Sequence, residues 1–152
     1  TYIFASHQDP DIIASLDKWL LHTRARVICS KLWARFLPHL TANYLALSHG
    51  ICTYDRIIAL PDRGQSIPLG NCQLKAVPAH FLHSVGNFQI YDPVSKILFS
   101  GDMGASLVNH EQAAEPVKDF DDHVITMAGF IPFFQPPRCA DAQRPARLRR
   151  IL

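Results

Sequence analysis

Apolar and polar positions follow two rhythms along this chain, and the change falls near Tyr54. Before it, short apolar runs alternate with stretches in which apolar residues recur every three or four positions. Tyr2-Ile3-Phe4-Ala5 predicts a buried strand over residues 2–5. From Pro10 to about His22, the spacing of Ile12, Ile13, Leu16, Trp19 and Leu20 predicts a helix. Asp9 is placed to cap it, and Pro10 suits a first turn that needs no N–H. Arg26-Val27-Ile28-Cys29 predicts a second strand. Leu32, Trp33, Phe36, Leu37 and Leu40 predict a second helix from Lys31 to about Leu40. Trp19, Trp33 and Phe36 are expected in the core. This order predicts neighbouring parallel strands with helices covering one face.

After Tyr54 the pattern shortens into strand-like runs at 56–60, 65–69, 73–78, 88–91 and 97–100. Turn residues separate them, at Pro61-Asp62-Arg63-Gly64, Gly70-Asn71, Gly86-Asn87 and Asp92-Pro93, so a meander is expected. Residues 115–127 predict one more helix. From Ile131 the pattern stops: residues 131–152 hold four of the eleven prolines and no apolar period. The expected organisation is therefore a domain over 1–130 and an atypical Pro/Arg-rich tail over 131–152. The abrupt change suggests that the tail is frameshifted or disordered, and that the chain is a fragment.

Composition narrows the class. With 48% hydrophobic and 18% charged residues, the chain is globular. No apolar run reaches the length of a membrane span, and the first residues lack signal-peptide order, so a cytoplasmic location is expected. The net charge of +2 hides a division. Arg138, Arg144, Arg147, Arg149 and Arg150 make the tail basic and leave residues 1–130 slightly acidic, which predicts no nucleic-acid surface. None of the four cysteines forms a CxxC pair, and reduced thiols are expected, with Cys29 buried and inert.

Metal chemistry enters at the ends of predicted strands. His7-Gln8-Asp9-Pro10-Asp11 follows the first run and places one imidazole and two carboxylates within five residues. His83 lies in Phe81-Leu82-His83-Ser84-Val85-Gly86-Asn87-Phe88, and Asp102 ends Ile97-Leu98-Phe99-Ser100-Gly101-Asp102. Two imidazoles and three carboxylates suit a dinuclear site with one bridging carboxylate. So oxygen-rich a set favours iron or manganese over zinc. Each residue also has a structural role open to it. Asp9 and Asp11 favour a helix start, and Asp102 after Gly101 suits a turn. His22 and His39 stand at helix ends, His49 beside Gly50 is expected in a turn, and Met103 and Ser106 are expected to pack.

In this order the three segments resemble the metallo-β-lactamase superfold, and within it the iron-binding branch of flavodiiron proteins and oxygen-binding diiron proteins. The zinc hydrolases of the superfold carry HxHxDH. The iron branch carries H-x-[E/D]-x-D, matched here by His7-x-Asp9-x-Asp11. The resemblance implies an α/β fold, a partial αββα sandwich. It also implies two iron ions, with His7, Asp9 and His83 on one, Asp11 on the other and Asp102 bridging. His83 is preferred to His80 because it lies eight residues before Tyr91. His80 and Tyr91 are then candidates for supporting the ligands. The implied function is a non-haem diiron domain binding dioxygen or nitric oxide, as a sensor or part of a flavodiiron-type oxidoreductase. A redox or signalling partner protein and a homodimer are further implications, and no flavin-binding segment is visible. Ile12 stands where flavodiiron enzymes and the zinc hydrolases carry histidine, and His110 and His123 lack the context of the family's last histidine ligand. The alternatives are a metal-dependent hydrolase of the same superfold, with zinc as the alternative metal, and a metal-free remnant. Whether the chain is an enzyme is left open at this stage.

Overall fold

The computed structural model of the protein describes residues 1–41 and 43–130. Its strands fall into two sheets. In the first, β1 (Tyr2–Phe4), β2 (Arg26–Ser30) and β3 (Ile57–Leu60) lie side by side, all parallel, with β2 central. In the second, β4 (Gln65–Leu69), β5 (Cys72–Pro78), β6 (Phe88–Asp92) and β7 (Ile97–Phe99) form an antiparallel meander.

The meander is shorter than the turn signals suggested. The run at 56–60 leaves it and joins β2 in parallel register, Val27 opposite Ile57 and Cys29 opposite Ala59. A parallel partner needs a long crossover. Three short helices between β2 and β3 supply it: α3 (Lys31–Ala34), α4 (Leu37–Leu40) and α5 (Tyr44–His49). The helix expected over Lys31–Leu40 is therefore two. Pro38 sits in the first turn of α4, where its missing N–H costs nothing, whereas it would break a continuing helix. The helix expected from Pro10 to His22 is also two, α1 (Pro10–Ile13) and α2 (Leu16–His22). His49 ends α5 rather than standing in a turn, and Gly50 closes the helix in the left-handed conformation.

Strand alternation sorts the first sheet's side chains into two cores. Val27 and Cys29 face the helices and pack with Ala5, Leu16, Leu20, Leu37 and Leu45. Ile28 and Leu60 face the second sheet and meet Ile67, Ala76, Phe88 and Ile90. The result is a helix layer, a parallel sheet and an antiparallel sheet. Phe88 is fully buried between the sheets, worth roughly 1.5–3 kcal/mol of apolar transfer. Cys29 is buried, and burial pushes its thiol up to about 12, so it stays protonated near neutral pH. Trp19 and Phe36 do not join the core. They are 53% and 45% exposed, because Leu16, Leu20 and Leu37 take the inward positions.

These layers form one compact unit, residues Thr1–Ala79 with Gly86–Gly101. Among the described residues, a second unit comprises His80–Val85 and residues 102–130. It contains α6 (His110–Ala113) and α7 (Phe120–Phe130). The helix expected over 115–127 starts later, because Pro116 precedes it and Asp119 accepts hydrogen bonds from the Asp121 and Asp122 N–H groups as a cap. No helix among the described residues is long and apolar enough to cross a membrane. The Pro/Arg-rich tail expected over 131–152 lies outside the described residues.

Candidate metal centre

The first unit carries His7 just beyond β1. Two backbone hydrogen bonds hold this stretch: Ala5 N–H to the Ile28 carbonyl at 2.9 Å, and Phe88 N–H to the Ser6 carbonyl at 3.0 Å. Ser6 is thereby tied to the start of β6. His7 is 1% exposed. Its Nδ1 lies 2.9 Å from Ser6 Oγ, and its Nε2 lies 3.5 Å from Asp9 Oδ2. Asp9 stands at the N-cap of α1 in extended backbone, yet its side chain makes no capping hydrogen bond. Its carboxylate is directed to the imidazole instead. The Ile12 N–H donates instead to the Asp9 backbone carbonyl at 3.0 Å, and Pro10 at the helix start has no N–H to satisfy.

The second unit carries the other pair. His83 Nε2 lies 3.9 Å from Asp102 Oδ2. The imidazole is buried, and the carboxylate is about one-third exposed. His83 sits in a tight loop closed by the Phe81 N–H to the Ser84 carbonyl at 3.0 Å. Phe81 is left-handed with φ +63°, a conformation costing a bulky residue roughly 1–3 kcal/mol. Asp102 follows β7 in a turn, where its carbonyl accepts from the Ala105 N–H. Both pairs have the same chemistry, a buried imidazole with one nitrogen toward a carboxylate.

The candidate ligand group comprises His7 and Asp9 in the first unit and His83 and Asp102 in the second, each offering one ligand atom. Asp11 is not among them; it stands exposed in the first turn of α1. His80 is outside the group. Tyr91 is also outside it, paired in register with Lys75 and Leu98 within the antiparallel sheet. Met103 is buried, and Ser106 Oγ lies 3.5 Å from His123 Nε2. Ser6 was not singled out from the sequence. Its only signal there is a hydroxyl directly before a candidate ligand, which is too common to stand out.

Known proteins place this arrangement in context. The model of a family described as "ODP family beta lactamase" matches residues 1–136. The chain is similar to a solved chemotaxis sensor ODP described as a peroxy diiron species. They share 38% identity over 86% of this chain and 50% of that one, with a TM-score of 0.67. It is also similar to the apo state of the chemotaxis sensor ODP from T. denticola. Here identity is 35% over 98% of this chain and 57% of that one, with a TM-score of 0.74. A metal-soaked flavodiiron core from Synechocystis sp. shares 21% identity over 84% of this chain and 30% of that one. Its TM-score of 0.60 is a likeness of fold. The chain thus spans about half the length of the sensor structures it matches. No curated protein matches it.

Proposed function

The chain belongs to the ODP family of β-lactamase-like proteins, and from that premise we propose that it is a non-haem diiron domain that binds dioxygen or nitric oxide as a sensor. The relatives at 35% and 38% identity are chemotaxis sensors, and one is described as a diiron species, which supports sensing over turnover. The observation that carries the reading is Asp9. A carboxylate at a helix start that makes no capping hydrogen bond and approaches a buried imidazole supports a ligand role.

The residues fit iron. Two imidazole nitrogens and two carboxylate oxygens make a mixed set of the kind non-haem iron takes. In this reading His7, Asp9, His83 and Asp102, with Asp11, would hold the irons. Iron, when bound, would supply the redox chemistry. The chain supplies the rest. The Asp9 and Asp102 carboxylates offset the metal charge, and burial of His7 and His83 limits water at the ligands. A partner protein in the cytoplasm reads the gas-bound state.

The test is anaerobic production with ferrous iron, metal analysis, then exposure to oxygen while the visible spectrum is recorded. About two irons per chain and an oxygen-dependent charge-transfer band are expected. Zinc with ester or lactam hydrolysis would favour a hydrolase. No stoichiometric metal would leave a remnant of the fold.

A further inference from the structure

We propose that Ser6 is a positioning residue of this centre, whose hydroxyl holds the His7 ring so that Nε2 is presented to the metal. The inference rests on the diiron reading. Ser6 Oγ lies 2.9 Å from His7 Nδ1, and the two residues are 7% and 1% exposed. A neutral imidazole carries one N–H and one lone pair, and at this burial protein groups are the partners at hand. A hydroxyl serves both protonation patterns. Without metal it donates to a bare Nδ1, while an Nε2–H faces Asp9. With metal at Nε2 it accepts from Nδ1–H. The ring keeps one orientation through both states, whereas a side chain that only donates or only accepts would suit one of them.

The hydroxyl is itself held in place. The Ser6 carbonyl accepts from the Phe88 N–H, so its backbone does not depend on the side chain. On the other side stands Gly101. A Cβ at that position would lie 3.1 Å from Ser6 Oγ and 3.3 Å from Ser6 Cβ. Gly101, left-handed at φ +57°, leaves just enough room for the serine. The glycine before Asp102 therefore has a role beyond shaping its turn. It seats the group that orients His7.

Ser6→Thr and Ser6→Val provide the test, because they add the same bulk against Gly101 and differ only in the hydroxyl. Ferrous iron affinity is measured anaerobically by competition with a coloured chelator. Far-UV circular dichroism checks that both variants fold. Ser6→Val is expected to bind iron about 10–100-fold more weakly than Ser6→Thr, the usual cost of losing a group that orients a ligand. Equal affinities in the two would overturn the proposal. A readout without metal separates this outcome from the diiron reading. If no variant and no wild-type protein takes up iron, that reading fails, and nitrogen NMR of the His7 ring in the metal-free protein decides the role of Ser6. A Nδ1 shift that differs between Thr and Val variants supports it; identical shifts overturn it.

Discussion

Asp9 satisfies every local rule for an N-cap except the hydrogen bond itself. Short-range preference and tertiary placement disagree at this residue, and such disagreement is expected where a side chain has work elsewhere. Asp92 shows the opposite case, a carboxylate wholly used by its own turn. It accepts from the Val94 N–H at 2.9 Å and the Ser95 hydroxyl at 2.7 Å. The Ser95 hydroxyl, then the Val94 N–H, hold its carboxyl below the ordinary value of 3.8. Depressed acidity in the folded state means that the ionised form stabilises the fold. That contribution is present above the unfolded-state value and is lost as pH falls through the folded one. The urea midpoint of the wild-type protein should exceed that of Asp92→Ala by a constant amount between about pH 7 and about pH 5. The gap should then narrow below 3.8. A gap that widens on acidification would show that the turn does not hold the ionised carboxylate.

Elements here are shorter than their hydrophobic periods. Ile12 through Leu20 reads as one helix by spacing alone, yet the chain breaks at Ala14–Ser15 and buries only Leu16 and Leu20 of α2. Periodicity registers which residues share a face; it does not register a small offset between two turns. The β4 strand shows what its flanking turns require. Gly64 precedes it at φ +76°, and a Cβ there would stand 2.3 Å from the Ala76 carbonyl oxygen. Gly70 follows it at φ +58°, and a Cβ there meets nothing within 4 Å. Gly64→Ala combines a strained backbone with a clash against backbone and should cost about 2–4 kcal/mol. Gly70→Ala meets only the conformational term, about 1 kcal/mol. Chemical denaturation of the two variants checks the order, and equal losses would refute the close approach at Gly64.

For the whole molecule, the candidate ligands come from loops rather than from strands. In the proposed reading a metal would engage segments far apart in sequence, residues 7–9, 83 and 102. Such a metal binds the folded chain and not the unfolded one, so it stabilises by mass action. Ferrous iron at about one hundred times its dissociation constant should add about 2.7 kcal/mol to the unfolding free energy, and a chelator should remove it. Asp102→Ala should abolish most of the gain. Denaturation midpoints that coincide with and without iron in the wild-type protein would count against the centre.

Much of this was legible in the chain. Apolar runs located all seven strands of the described residues to within one residue. The spacing His7-x-Asp9, with His83 and Asp102 behind it, singled out candidate ligands, because ligand chemistry depends on residue type and order. Three things awaited the fold. Strand β3 pairs in parallel because the crossover carries it back beside β2, a long-range outcome that its own sequence does not encode. Trp19 and Phe36 face solvent because their neighbours on the same helices compete for a finite core. Ser6 gained its role from the approach of Gly101, ninety-five positions later in the chain. Sequence determines which atoms are on offer; only packing decides which of them meet.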